Sequence, residues 1–471
     1  MPGRPKSTHR SPFIDLNEQS TMTHLRLHPM IFALALASVG SSQAQSLVDL
    51  YGAAKKYDAT YLSAVAQYEA NRARADQALA GVLPRASLSA STQRTGVDVE
   101  PFGPGTNVSA ATSPFSRYFS THGATINAAQ PLYNPANRLF YEQSRKQLAQ
   151  AVQSLVTAEQ DLLVKTGQAY FDVLGSQDSL SFVRAQKAAV SEQLAAAKRN
   201  FEVGTATITD TREAEARFDL IRAQEIAAEN DLRVKRLALD QLVGMTNAQP
   251  LPLNTQAELS PPAPNDPEAW VSAAMRQHPS LLSAELNAEV ARMEIDRARA
   301  GHLPTLELQA SMGQTRNSGG TALSGTSSQI NSQAIGLALN MPLFAGYSVQ
   351  NRVAETVALE EKARLDLEAA RRNVSQAVRT AYLGLVSGIG QVKALKAAED
   401  SSQLALDANK LGYTVGVRIN IDVLNSQSQL YQTKRDLAQA RYNVLLGSLK
   451  LRQANGTLQA QDLQSVSDLL K

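Results

Sequence analysis

Few residues in this 471-residue chain are equipped for chemistry. It has no cysteine, which excludes disulfides, thiolate metal sites, thiol nucleophiles and lipid attachment at an N-terminal cysteine. Of its six histidines, His9, His24 and His28 lie in the first 44 residues. His122, His278 and His302 are scattered, and the last two fit a helix end and a turn at the surface better than a ligand set. No Walker loop, zincin helix or nucleophile elbow occurs. The polar groups with suggestive spacing gather instead at two similar turns. One has Val203-Gly204 followed by Thr209 and Asp210; the other has Tyr413, Val415-Gly416, Arg418, Asp422 and Asn425. An arginine donates several hydrogen bonds to a carboxylate, and a phenol joins the same network. That chemistry links segments and turns over no substrate. An enzyme is not expected, and the sequence calls for no cofactor and no metal.

The composition is that of a folded protein, with 43% hydrophobic and 19% charged residues. Removing the four basic and two acidic groups of the first 44 residues leaves 42 basic against 41 acidic, so no electrostatic footprint for nucleic acid remains. Residues 30–39 (MIFALALASV) are an apolar run preceded by Arg26 and followed by Ser42-Gln43-Ala44. This pattern predicts a secretory signal peptide cleaved after Ala44, with Met22 a better start than Met1 or Met30. The run is too short to span a bilayer, and no later stretch approaches 18 apolar residues. If the exported chain crosses a membrane, strands must do it.

The mature chain repeats itself. Gly81-Val82-Leu83-Pro84 recurs as Gly301-His302-Leu303-Pro304, Pro131-Leu132-Tyr133 as Pro342-Leu343-Phe344, and Phe201-x-Val203-Gly204 as Tyr413-x-Val415-Gly416. Two copies of roughly 210 residues follow the leader 1–44: residues 45–255 and 268–456, joined by the proline-rich linker 256–267 and followed by a tail, 457–471.

Each copy predicts helix, strand, strand, long helix, return helix. The first helices are expected as single rods of about 34 residues, near 47–80 and 268–300. Beyond each Leu-Pro pair the pattern alternates: Leu306, Leu308, Ala310 and Met312 on one face, Glu307, Gln309 and Ser311 on the other. Strands of roughly 10 to 13 residues are expected, with turns at 96–114 and 317–328. The period then changes to 3.6, as in Leu367, Ala370, Val374, Ala377 and Ala381. The proline-free run 137–201 predicts a helix of roughly 100 Å. Gly204 is the expected stop, and Asp210 with Glu213 the expected N-cap pair of the return helix, which ends near Gly244. The two shorter helices together match the long one, and their alanine-rich seams suit close packing along it. The design is a rod or a tube wall, with no globular core.

Four strands cannot close a barrel alone, since bacterial barrels begin at about eight, and open edges in lipid leave backbone groups unpaired. A dimer supplies eight strands and a trimer twelve; the arithmetic does not choose between them. An exported coiled-coil scaffold or adhesin with soluble hairpins is the alternative. Phe115, Tyr118, Phe119, Tyr133 and Phe344 are candidates for interfacial aromatic girdles.

Over residues 45–456 the chain resembles the TolC-type outer-membrane efflux proteins. The duplicated G-x-L-P and P-L-[YF] motifs carry the resemblance, with the turns FEVGTATITD and YTVGVRINIDVLNSQSQLYQTKRDLAQARYNVL. It implies a mainly α fold with a small antiparallel β part: a long α-helical barrel, plus four strands per chain in a shared, trimeric, 12-stranded outer-membrane barrel. It also implies a homotrimer in outer-membrane lipid, a periplasmic adaptor protein, an inner-membrane ABC transporter or other pump, and an exported cargo. By position, Thr209, Asp210, Tyr413 and Arg418 take the place of the links that hold the periplasmic end shut. Asp422 takes the place of a constriction aspartate, and Asn425 stands where the family often has a second carboxylate. Without a lipid-anchor cysteine the expectation leans to type I secretion of a haemolysin- or adenylate-cyclase-type toxin, with multidrug efflux as the alternative.

Overall fold

A computed structural model describes residues 45–100, 114–254, 260–322, 324–468 and 470. The leader, its cleavage position Ala44 and the tip of the first interstrand loop lie outside these residues, as does part of the linker.

The first helix of each copy is broken in two, contrary to expectation. Helix α1 (Leu47–Tyr57) ends at Asp58, whose extended backbone and side chain cap α2 (Ala59–Leu79) through the Tyr61 N–H. Helix α5 (Pro267–Gln277) ends at His278, because Pro279 removes a backbone donor and pushes the preceding residue to extended geometry before α6 (Pro279–Arg299). His278 is therefore no free surface histidine. It is half-buried, its Nδ1 accepts from the Ser280 N–H, and burial holds its imidazole below the ordinary value.

Three strands are longer than expected, β1 (Arg85–Val99), β2 (Phe115–Tyr133) and β3 (Thr305–Ser318), while β4 (Ser328–Asn340) has the expected length. Gly96 to Val99, expected in a turn, continue β1 by pairing with Tyr118 to Phe115. The four make one antiparallel sheet in the order β1-β2-β3-β4, so β1 and β4 are free edges. The period-2 pattern maps onto its two faces. Even-numbered positions of β1, β2 and β3, including Leu88, Ile126 and Met312, share one face with odd-numbered positions of β4, including Ile335 and Leu337, and these five stand exposed; Ser89, Thr125, Gly313 and Ser332 line up on the other.

Helix α3 (Pro135–Glu202) starts on an Asn134 cap with proline at its first position and runs 68 residues, about 100 Å. Its counterpart α7 (Ser348–Thr414) has 67, and the return helices α4 (Ile208–Val243) and α8 (Asn420–Asn455) have 36 each. Helices α2 and α6 flank α3 on the strand side, α4 and α8 on the tip side, and α7 packs on α6 and α8. The result is a slab with α2, β1 and α4 along one margin and β4 and α7 along the other. The expected pairing of two short helices against a long one is how the slab is laid out.

One part departs from the plain wall. Helix α1 packs on the middle of α3, the C-terminal α9 (Ala460–Ser467) packs on α1 and α8, and Leu47, Leu50, Leu163, Tyr170, Leu449 and Leu463 bury a local core there. The return helices stop on left-handed glycines that fit the breaks described above. A Cβ on Gly244 would enter the Tyr57 ring, and one on Gly456 would meet the His278 backbone.

Candidate functional site

The two glycine turns lie at the far end of the helices from the sheet. Gly204 and Gly416 both adopt left-handed φ, near +80° and +79°, closing α3 and α7, while Val203 and Val415 stand exposed beside them. The N-cap of α4 is Thr207, not Asp210. The chain is still extended at Thr207 and helical by Asp210, so the hydroxyl caps and Asp210 is its N3 partner in a capping box.

Within one chain the candidate link residues face other groups than each other. The Asp210 carboxylate accepts from the Thr207 hydroxyl at 2.7 Å and backbone N–H at 2.9 Å. The Tyr413 hydroxyl accepts from Asn200 Nδ2 at 3.3 Å. Arg418 lies 3.7 Å from Asp422, one turn along α8. Thr209 is exposed, and Asn425 Oδ1 accepts from Arg217 at 3.0 Å.

Besides the Asn200–Tyr413 and Arg217–Asn425 bonds, the first-copy hairpin is joined to the second at the tip by Asn420. Its side chain is fully buried; Nδ2 donates to the Asp210 carbonyl at 3.1 Å while Oδ1 accepts from Gln193 Nε2. Sequence reading passed over Asn420, Gln193, Asn200 and Arg217. A signal was present for the first: Asn420, Leu424 and Gln427 step by four and three along the stripe that packs inward, where a polar side chain must find partners.

At the other end, the exposed apolar face of the sheet suits lipid, and the face of Ser, Thr and Gly suits a watery lumen. Of the girdle candidates, Tyr118 and Phe344 are well exposed, Tyr118 on the apolar face and Phe344 just past β4. Phe115 and Phe119 point to the opposite face. Among the described residues no helix is long and apolar enough to cross a membrane, and no cluster of three or more His, Asp or Glu side chains could hold a metal.

A long helical wall continued by an open, one-side-apolar sheet defines a wall segment of an outer-membrane channel. The chain belongs to the outer membrane efflux protein family, matching it over residues 50–245 and 270–457. It is 33% identical to the outer membrane protein TolC of Vibrio cholerae, over 95% of this chain and 99% of that one. It is 30% identical to the alkaline protease secretion protein AprF of Pseudomonas aeruginosa, over 95% and 92%. Its fold is shared with the outer membrane protein VceC of Vibrio cholerae at a TM-score of 0.73 and 18% identity, covering 87% of this chain and 96% of that one. The chain is thus an outer-membrane protein of the TolC type with a long periplasmic helical part, and its family and fold are those of channels.

Proposed function

We propose that the chain is one third of an exit duct for protein cargo in a type I secretion system. The observation that carries the reading is the slab with two open margins. Edges β1 and β4 unpaired in lipid would cost several kcal/mol per backbone group. One margin also exposes Leu220, Ile226, Val234 and Leu237 on α4, and the other Leu383, Val386, Leu404 and Leu411 on α7. A head-to-tail ring of three copies pairs β4 with a neighbouring β1 and α7 with a neighbouring α2 and α4, giving twelve strands and a continuous helical tunnel. Channels of the TolC family are trimers working with adaptor proteins and inner-membrane transporters, and the two exposed Val-Gly turns are the natural contact for the adaptor. The duct is passive, and an inner-membrane ABC transporter supplies the energy. The two-repeat division at 45–255 and 268–456 belongs to the same reading, since it accounts for the matched helix lengths.

The protein cargo is supported by likeness to a protease secretion protein along nearly the whole chain; a haemolysin- or adenylate-cyclase-type toxin is the cargo class we favour. The gate reading assigns Tyr413, Arg418, Thr209 and Asp210 to contacts between neighbouring hairpins, and Asp422 to a threefold ring of charge with Asn425 below it in rank. Comparison of the culture-supernatant proteome of a deletion strain with its complemented parent tests the cargo. Loss of one or a few large proteins is expected. An unchanged supernatant with raised sensitivity to dyes, detergents or antibiotics would move the protein to drug efflux.

A further inference from the structure

The sheet contains four arginines, and they divide by face. Arg85 and Arg117 lie on the lumen-type face, and each is partnered: Arg85 with Glu307 at 2.8 Å, Arg117 with the Thr321 carbonyl at 3.2 Å. Arg94 and Arg316 lie on the apolar face, exposed, and among the described residues neither makes an ion pair. Cross-strand register brings them together. Thr92, His122 and Arg316 are paired in one row across β1, β2 and β3, and Arg94 opposite Ser120 is one pair nearer the loops. At ordinary strand spacing the two arginine Cα atoms are about 12 Å apart, within reach of a single headgroup. The Thr92 hydroxyl meets His122 Nδ1 at 2.8 Å, and Tyr118 stands under the Arg94 guanidinium at 5.8 Å. When Nδ1 accepts from Thr92, the imidazole presents its Nε2 hydrogen outward.

Height and charge complete the picture. The row lies about 13 Å along the strands from the apolar row of Leu88, Ile126 and Met312, on the loop side, where a headgroup layer begins. Asp98, the only acidic residue of the strands on that face, is about 13 Å beyond Arg94. Segments 101–113 and 319–327 contain no charged residue.

We infer that Arg94, Arg316 and His122 form a binding site on the lipid-facing side of the barrel for the phosphate groups of a phosphorylated glycolipid headgroup in the outer leaflet. The forked guanidinium donors suit phosphate, and the apolar belt below takes the acyl chains. The inference rests on the barrel reading above. Its test is native mass spectrometry of the full-length protein purified in detergent, loaded with bis-phosphorylated lipid A. The Arg94→Gln/Arg316→Gln protein is compared with wild type and with Arg117→Gln. Wild type and Arg117→Gln should retain the lipid, the double variant should hold it about tenfold more weakly, and dephosphorylated lipid A should be lost from all three. Equal retention by the double variant overturns the site, as does equal retention of the dephosphorylated lipid. Occupancy by inorganic phosphate without lipid A overturns the lipid assignment. Outer-membrane fractionation and bilayer conductance of the double variant report on the barrel separately, so failure of either reading is visible by itself.

Discussion

The Asn420 side chain donates to the Asp210 carbonyl at 3.1 Å, tying the start of α8 to the start of α4 across the seam between the two hairpins. The Asn420 side chain is fully buried, and its second arm reaches Gln193 on α3. A buried amide without its partners costs about 1–3 kcal/mol. Asn420→Ala is therefore expected to loosen the tip and raise single-channel conductance in planar bilayers, with thermal stability lowered by about that amount. Wild-type conductance with lowered stability would mean that the bond holds the hairpins without governing the opening.

Arg418 and Tyr413 are placed differently from Asn420. Tyr413 is held by Asn200, and Arg418 projects beside Asp422, exposed toward whatever lies next to it in the ring. The Arg418→Ala/Tyr413→Phe double variant should increase conductance. Because the guanidinium beside Asp422 is also gone, its cation selectivity should rise at the same time. Unchanged conductance would remove both residues from the gate.

Asp422 is about a third exposed and, among the described residues, pairs with one cation, Arg418 at 3.7 Å. Three copies on an axis concentrate negative charge, so Asp422→Ala should reduce cation selectivity measured from reversal potentials in a salt gradient. Asn425 spends its carbonyl on Arg217 and adds no charge, so one ring carries the effect. Selectivity equal to wild type would exclude that ring.

Asp58 provides a pH-dependent stabilising contact at the break between α1 and α2. Its burial alone would raise the carboxyl, but the Lys165 ammonium at 2.8 Å and the Tyr61 N–H hold it below the ordinary carboxylate range. A carboxyl lowered in the folded state stabilises fully above its unfolded value and loses that contribution as pH falls through the folded one. Asp58→Asn should thus destabilise by about 1 kcal/mol at pH 7, Lys165 being half exposed. The gap in urea midpoint should close below about pH 4. A gap independent of pH would assign the effect to the helix cap alone.

Periodicity and composition were enough for most of the architecture. Alternation in Leu306, Leu308, Ala310 and Met312 marked a strand with one lipid-type face, and the proline-free run after Asn137 marked a helix of about 100 Å, since both patterns are local consequences of backbone geometry. The glycines after Phe201 and Tyr413 marked the turns because only a residue without a Cβ enters left-handed φ cheaply. The break at Asp58 was not legible: no proline stands there, and the extended backbone is stabilised by Lys165, 107 residues away. The cap of α4 fell on Thr207 because hydroxyl and carboxylate compete for one position, and the fold of the turn decides between them. Most of all, a single chain's sequence specifies which residues are polar but not which polar residues meet. Asn420 finds Asp210 and Gln193, and Arg94 joins Arg316 on one face, only because helix packing and strand register bring together residues more than 200 positions apart.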